Sequence, residues 1–366
     1  MAIFERLNTM GHEQVVFCQD EATGLKAIIA IHDTTLGPAL GGCRMWNYAS
    51  DEEALEDVLR LSRGMTYKAA VSGLSLGGGK SVIIGDPNKL KNEAFFRTFG
   101  RFVNSLSGRY ITAEDVNIRV SDMEQVALET PYVTGISSRQ GGSGDPSPVT
   151  AWGVFHGIRA SVKHQLGKDS LNGLSVVVQG CGAVGSHLVE YLVTEGAKIF
   201  VADIDAGRVK KLVDRFGVEA IDNTTAHTLP VDVFAPCALG GILNDKSIPE
   251  IKTKVVAGGA NNQLLDEVSH AAMLKERNIL YAPDYVINAG GLINVFQELQ
   301  GYDRTAATNR AAGIYETLLT IYQEADEQGL TTIQASNRIA EKRIKSVQKM
   351  KDLRNSFDNQ RWIVHN

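Results

Sequence analysis

The chain has 366 residues, 43% of them hydrophobic, more than a single core usually organises, so two domains are expected. A net charge of -5 with no long Lys/Arg run gives no electrostatic case for nucleic acid and points to a small-molecule partner. Cys18, Cys43, Cys181 and Cys237 lie far apart with no C-x-x-C spacing, and the eight histidines show no ligand spacing, so the expectation is buried thiols in a reducing compartment and no metal.

The N-terminal MAIFERLNTMGHEQ lacks the apolar stretch of a signal peptide, and no apolar run is long enough for a bilayer; a cytoplasmic location and no membrane partner are expected. QVVFC and LKAIIAIH flank a DEATG turn and predict an antiparallel hairpin. Ser50 and Glu53 then form a capping box for a long helix that carries Lys68 near its end. A glycine turn GGGK, a strand SVIIG, a helix through EAFFRTFGRFVNSL and a strand RYITAED complete a first α/β domain, taken as residues 1–140.

GGSGDPSP, residues 141–148, reads as a linker, after which Thr150 can begin a helix. From Leu174 onward, apolar strands (LSVVVQG, KIFVAD, VDVFAPCA, KVVAGG, ILYAP) interspersed with helices predict a parallel sheet covered on both faces, in a second domain over residues 141–330. The charged C-terminal segment is helical, without sharp caps, and residues 331–366 are expected to pack back on the first domain.

Gly180-Cys181-Gly182-Ala183-Val184-Gly185 follows SVVVQ and opens a helix, the context a G-x-G-x-x-G fingerprint requires. Asp203 closes the next strand, 23 residues after Gly180, where a carboxylate accepts ribose hydroxyls and repels a 2′-phosphate. The cofactor expected is NAD; Asp205 adds to that bias, and Arg208 keeps NADP as a minor alternative. A glycine turn can also be purely structural.

Lys68 and Lys80 sit on different elements, and the three glycines Gly77, Gly78 and Gly79 cost backbone entropy unless substrate or another backbone must come close. Two lysines facing one pocket would repel, lowering the pKa of one of them and making a general base. The plainer alternative is two solvated surface lysines. Asp115 stands at the carboxyl end of an apparent strand, with Glu114 beside it as a rival.

FCQDEATGLKAIIAIHDTTLGPALGG, RLSRGMTYKAA, GLSLGGGKSVIIGDP, GRYITAEDV, DPSPVTAWGV, DVFAPCALGGILN, AGGANNQL and YAPDYVINAGGLINV together resemble the family of glutamate, leucine, phenylalanine and valine dehydrogenases over nearly the full length. The resemblance is greatest to the branch acting on leucine. It implies a mixed-sheet catalytic domain and a Rossmann-type domain separated by a cleft, assembled into homo-oligomers that are octamers in that branch. It also implies reversible, NAD-dependent oxidative deamination to a 2-oxo acid and ammonia. Lys68 would hold the substrate α-carboxylate, Lys80 would activate water to attack the iminium left by hydride loss, and Asp115 would shuttle the proton.

Gly41, Met65 and Asn262 match substrate contacts of the family, and Leu40, Ala113, Leu292 and Val295 match its side-chain pocket. Thr150, Gly180, Gly182, Ala183, Val184, Gly185, Asp203, Ile204, Cys237, Ala238, Asn261 and Asn288 match cofactor contacts, with Cys237 acting through its backbone. Which of Asn261 and Asn262 meets nicotinamide or substrate is left open. An apolar pocket disfavours glutamate, whose carboxylate would be unpaired. It separates leucine, valine and isoleucine weakly, since one methylene is worth only about 1–3 kcal/mol. Phenylalanine is the runner-up substrate, and a non-catalytic NAD or amino-acid sensor on the same fold is the alternative from another class.

Overall fold

The computed structural model describes residues 3–238 and 240–363. It divides into two compact units, one of residues 1–144 and 338–366, the other of residues 145–337. The first division falls inside GGSGDPSP and the second inside the last helix. Among the described residues no helix is long and apolar enough to cross a membrane.

The first unit opens with α1 (Ile3–Met10), the hairpin β1 (Gln14–Asp20) and β2 (Leu25–Asp33), then β3 (Ala39–Trp46) and the 21-residue α2 (Asp51–Val71). It continues with β4 (Gly77–Ile84), α3 (Glu93–Ser105), β5 (Tyr110–Glu114) and α4 (Val120–Ala127). The sheet order is β1-β2-β4-β3-β5. The pairs β1/β2 and β2/β4 are antiparallel, β3/β4 and β3/β5 parallel, so the sheet is mixed as expected.

One face buries Ile29, Ile31, Cys43, Met45, Phe95, Phe96 and Phe99, and the other buries Ile28, Ala30 and Val82 against Ala54, Leu55, Val58 and Leu59 of α2. At the start of α2 the Ser50 hydroxyl accepts the Glu53 N–H as predicted. The returning Glu53 carboxylate, however, takes the N–H of Ala49 rather than that of Ser50, at 2.7 Å.

The Gly77–Gly79 run corrects the sequence reading: it is no turn but the start of β4. A Cβ on Gly78 would lie 2.1 Å from the Thr66 backbone nitrogen, and one on Gly79 would lie 2.7 Å from the Tyr110 ring. The glycines thus let α2 and a buried tyrosine approach the strand, which is the close-approach half of the expectation. Strand β3 was not anticipated; Gly41 and Gly42 mask it.

His12 and His32 pack edge to face beneath α2, ring centroids 4.9 Å apart. His12 Nε2 lies 2.8 Å from Ser62 Oγ, and His32 Nδ1 lies 2.8 Å from Thr66 Oγ1. Burial, with neighbouring positive charge, lowers each imidazole to about 4. Because an unfolded histidine titrates near 6.5, the unfolded chain binds the extra protons between these values. Stability is complete above pH 6.5 and falls as pH drops toward 4, by up to about 1.4 kcal/mol per pH unit per histidine. The urea midpoint should therefore fall between pH 6.5 and 5, and the slope should be shallower in His32→Gln; an unchanged slope would refute the assignment.

The second unit runs α5 (Ser147–Leu166), β6 (Ser175–Gln179), α6 (Ala183–Thr194), β7 (Lys198–Ala202), α7 (Ala206–Phe216), β8 (Glu219–Ala220) and β9 (Val233–Pro236). Then come α8 (Ser247–Glu250), β10 (Val255–Val256), α9 (Glu267–Glu276), β11 (Leu280–Tyr281), α10 (Asp284–Ile287), α11 (Gly290–Glu298), α12 (Arg304–Ala312) and α13 (Ile314–Gln328). The sheet order β11-β10-β9-β6-β7-β8, with every pair parallel, is the doubly wound arrangement that reverses direction between β6 and β9.

Helix α5 starts at Ser147, three residues before the predicted start. Thr150 instead sits in its first turn and donates to the Pro146 carbonyl at 3.0 Å. The C-terminal helices also carry sharper caps than expected. Asp303 accepts the N–H groups of Thr305 and Ala306, and Thr331 with Gln334 closes a reciprocal box before α14 (Thr332–Ile363). Within the first unit, Arg343 of α14 donates to the carbonyls of Ala69 at 3.3 Å and Ala70 at 2.8 Å, a second donor to groups that already accept the N–H groups of Leu74 and Gly73.

Candidate active site

Lys80 lies in β4, paired in register with Ala30, and is only 7% exposed, which removes the surface-lysine alternative. Its ammonium contacts the carboxylate of Asp115. Strand β5 ends at Glu114, and Asp115 opens the turn that follows, closed by the Ile118 N–H on the Asp115 carbonyl at 2.9 Å. Asn117 takes φ +60° there and donates from its side chain to the Met45 carbonyl, fixing the turn to β3. The Val116 N–H donates to Asp115 Oδ1 at 2.7 Å.

Burial pushes the Asp115 carboxyl up, but Lys80, Arg44 and the hydrogen bonds from Lys80 and Val116 outweigh it and hold the group below the ordinary carboxylate range. The group in contact with Lys80 is a carboxylate, the arrangement that lets a buried charge persist.

Lys68 is in the last turn of α2, half-buried, as is Met65. Thr66 of α2 meets β4 at Gly78, so each lysine is two residues from the same helix–strand crossing. Leu40 and Ala113 are buried on β3 and β5, in register with Ile111 and Gly42 respectively. A Cβ on Gly42 would lie 2.8 Å from that of Asp115, so Gly42, which sequence reasoning passed over, is the glycine beside the carboxylate. Gly41 lies instead against the Gly79 carbonyl, and its own carbonyl accepts the Tyr110 hydroxyl at 2.7 Å.

Arg44 was also missed. Its Nη2 stands 3.9 Å from Asp115 Oδ2 and its Nη1 3.0 Å from Asp57 Oδ2. It shares a recess of about 430 Å³ with Trp46, Tyr48, Asp57, Arg60 and Val116.

In the second unit the fingerprint sits at the reversal point of the sheet. A Cβ on Gly180 would meet the backbone of Cys237 and Ala238 at 2.6 Å, and one on Gly185 would meet the Gly180 carbonyl oxygen at 1.8 Å. Both glycines are thus required by the fold itself. Gly182 is not: the nearest atom to its added Cβ is the end of Arg208 at 3.9 Å. This open side of Gly182, at the N-cap of α6 with no side-chain cap, fits a dinucleotide pyrophosphate.

Asp203 follows β7 and accepts the N–H groups of Cys181 at 2.6 Å and Asp205 at 2.8 Å, which fixes both oxygens beside the turn. Ile204 is 89% exposed next to it, an apolar surface suited to a purine face. Asp205 caps α7 and pairs with Arg208 at 3.4 Å, so that arginine's charge is partly answered within the chain.

Around the ends of β9 and β10, an added Cβ on Gly259 would touch Val184, and its N–H donates to the Cys237 sulfur at 3.4 Å. Burial pushes the Cys237 thiol up to about 11, so the sulfur is no nucleophile at neutral pH. Asn288 donates to Asn261 Oδ1 at 2.6 Å, while Asn262 adopts φ +52° and offers its carbonyl to the Gly241 N–H. Thr150, adjoining Gly291, and the buried Leu292 and Val295 lie along the start of α11 or within it. Ala183 is the first residue of α6.

The profile described as Glu/Leu/Phe/Val dehydrogenase, dimerisation domain, matches residues 12–132. That described as Glutamate/Leucine/Phenylalanine/Valine dehydrogenase matches residues 141–211 and 201–352. The chain is 55% identical to leucine dehydrogenase of Geobacillus stearothermophilus over 349 residues, 95% of each chain. It is 52% identical to valine dehydrogenase of Streptomyces virginiae, covering 91% of this chain and 94% of that one. The crystal structure of L-tryptophan dehydrogenase from Nostoc punctiforme superposes with a TM-score of 0.86 at 48% identity, covering 95% of this chain and all of the other.

Together with the two sheets and the glycine turn, these matches define a nicotinamide-dependent dehydrogenase. More narrowly, the chain belongs to the Glutamate/Leucine/Phenylalanine/Valine dehydrogenase family, and it is an amino-acid dehydrogenase.

Proposed function

We propose that the protein catalyses the reversible, NAD-dependent oxidative deamination of L-leucine and other branched-chain L-amino acids, as a homo-oligomer that the family resemblance makes an octamer. The observation that carries the reading is the buried Lys80–Asp115 pair beside the apolar Leu40 and Ala113. Nicotinamide, when bound, supplies the hydride acceptor. Gly182, Ala183 and the α6 N-terminus would hold its pyrophosphate, and Asp203 the adenosine ribose, where a carboxylate favours NAD over NADP.

Lys68 would supply the counter-charge without which a substrate carboxylate could not be buried. Lys80 can take a proton from water only as the free amine, and Asp115, in contact with it, is the group that relays the proton. The carboxylate then returns the proton to the departing amino group or to solvent. Leu40 and Ala113 give the substrate side chain apolar neighbours. Identity of 52–55% to several leucine dehydrogenases supports leucine, while 49% identity to an L-tryptophan dehydrogenase keeps an aromatic substrate as the second reading.

Initial rates with leucine, isoleucine, valine, phenylalanine, tryptophan and glutamate, each with NAD and NADP, test the assignment. The branched-chain three should lie within roughly 200-fold of one another, reflecting the small energy of one methylene, and should exceed glutamate. Preference for glutamate, or for NADP, would overturn the respective assignment.

A further inference from the structure

Arg44 bridges two carboxylates. On one side Asp57 holds it, and Asp57 is itself fixed by three donors: Arg44 at 3.0 Å, the Tyr48 hydroxyl at 2.7 Å and Arg60 at 3.1 Å. On the other, the second arm of the same planar fork faces Asp115 at 3.9 Å. The Arg44 and Asp115 side chains are each only 20% exposed and that of Asp57 15%, so solvent screens the array poorly.

We propose that Arg44, clamped by Asp57, is a positioning residue that sets the orientation and charge of Asp115 without touching substrate. The inference rests on the acid/base reading of Lys80 and Asp115 given above. Lysine cannot do the same work, because a single ammonium does not span two carboxylates as a guanidinium fork does.

The groups that bear on Asp115 come from every element around it. Lys80 on β4 and Arg44 on β3 are cationic. Cys43 on β3, Tyr110 on β5 and Tyr48 are all pushed up first of all by burial and stay neutral at working pH. Asp57 on α2 is a further anion, on the far side of Arg44. Removing the Arg44 charge therefore makes the Lys80–Asp115 pair easier to protonate, and neutralising Asp57 makes it harder.

The test is the pH dependence of kcat and kcat/KM for leucine oxidation in the full-length protein. Arg44→Met should lower kcat about 10- to 100-fold, less than the roughly 10²- to 10⁴-fold that a general acid/base itself contributes, leave KM within about threefold, and move the acid limb to higher pH. Arg44→Lys should return the limb close to its wild-type position while kcat stays depressed. Asp57→Asn should move the limb to lower pH, and it decides the matter if Arg44→Met does not fold.

A limb that stays in place in Arg44→Met, or in Asp57→Asn where that variant decides, overturns the proposal whatever the activity. Asp115→Asn, assayed in parallel, separates the two ideas. Near wild-type turnover there removes the acid/base reading itself, whereas an inactive Asp115→Asn with an unmoved limb in the Arg44 and Asp57 variants removes only the role of Arg44.

Discussion

Lys80→Ala should reduce deamination turnover by about 10²- to 10⁴-fold, the span a positioned acid/base group contributes. Two consequences reinforce each other. The amine proposed to accept the water proton is gone, and Asp115 loses the cation in contact with it, so burial raises the carboxyl toward its neutral form. Cofactor binding should survive, because the glycine turn and Asp203 belong to the other compact unit. Steady-state kinetics with a cofactor fluorescence titration separate the two effects. Turnover close to wild type would remove Lys80 from the chemistry.

Gly78→Ala should be among the most damaging single methyl additions in the first unit. Its Cβ would stand 2.1 Å from the Thr66 nitrogen and from Thr66 Oγ1, and 2.6 Å from the Ser62 carbonyl oxygen. Two of these are backbone atoms of α2, which can retreat only by moving the helix that carries Lys68. A loss of about 3 kcal/mol or more is expected, at the upper end of overpacking effects, with activity falling alongside. Gly64→Ala, on the same helix but with nothing within 4 Å of the added carbon, should instead raise stability by about 0.5–1 kcal/mol. Thermal melts of the two variants distinguish a crowded crossing from a general intolerance of α2; equal effects would refute the packing argument.

The same crossing shows where the sequence was legible. Apolar runs such as SVVVQ and LKAIIAIH name their strands because burial on a sheet selects β-branched residues, and both strands form. Strand β3 and the start of β4 were illegible for a physical reason. ALGG and GGGK look like turns, since glycine usually marks positive φ, yet here it removes side chains where a strand meets α2, Tyr110 or a neighbouring strand.

Lys80 and Asp115 could be singled out by residue type and family pattern. Their direct contact, and the chain from Asp115 through Arg44 to Asp57, depend on register between strands that no local pattern encodes. Glycine spacing alone likewise could not tell Gly182, whose open side suits a ligand, from Gly180 and Gly185, which the fold itself requires.

The brace that Arg343 places on Ala69 and Ala70 bears on how the enzyme is made. A ribosome releases α2 early, together with the Gly73 and Leu74 N–H groups that close its last turn, but Arg343, the second donor to the same carbonyls, emerges only after every residue of the second unit has been translated. The end of the helix therefore lacks this outer layer of hydrogen bonding through most of synthesis, and a message cut short before codon 343 would leave the Ala69 and Ala70 carbonyls with their local donors alone.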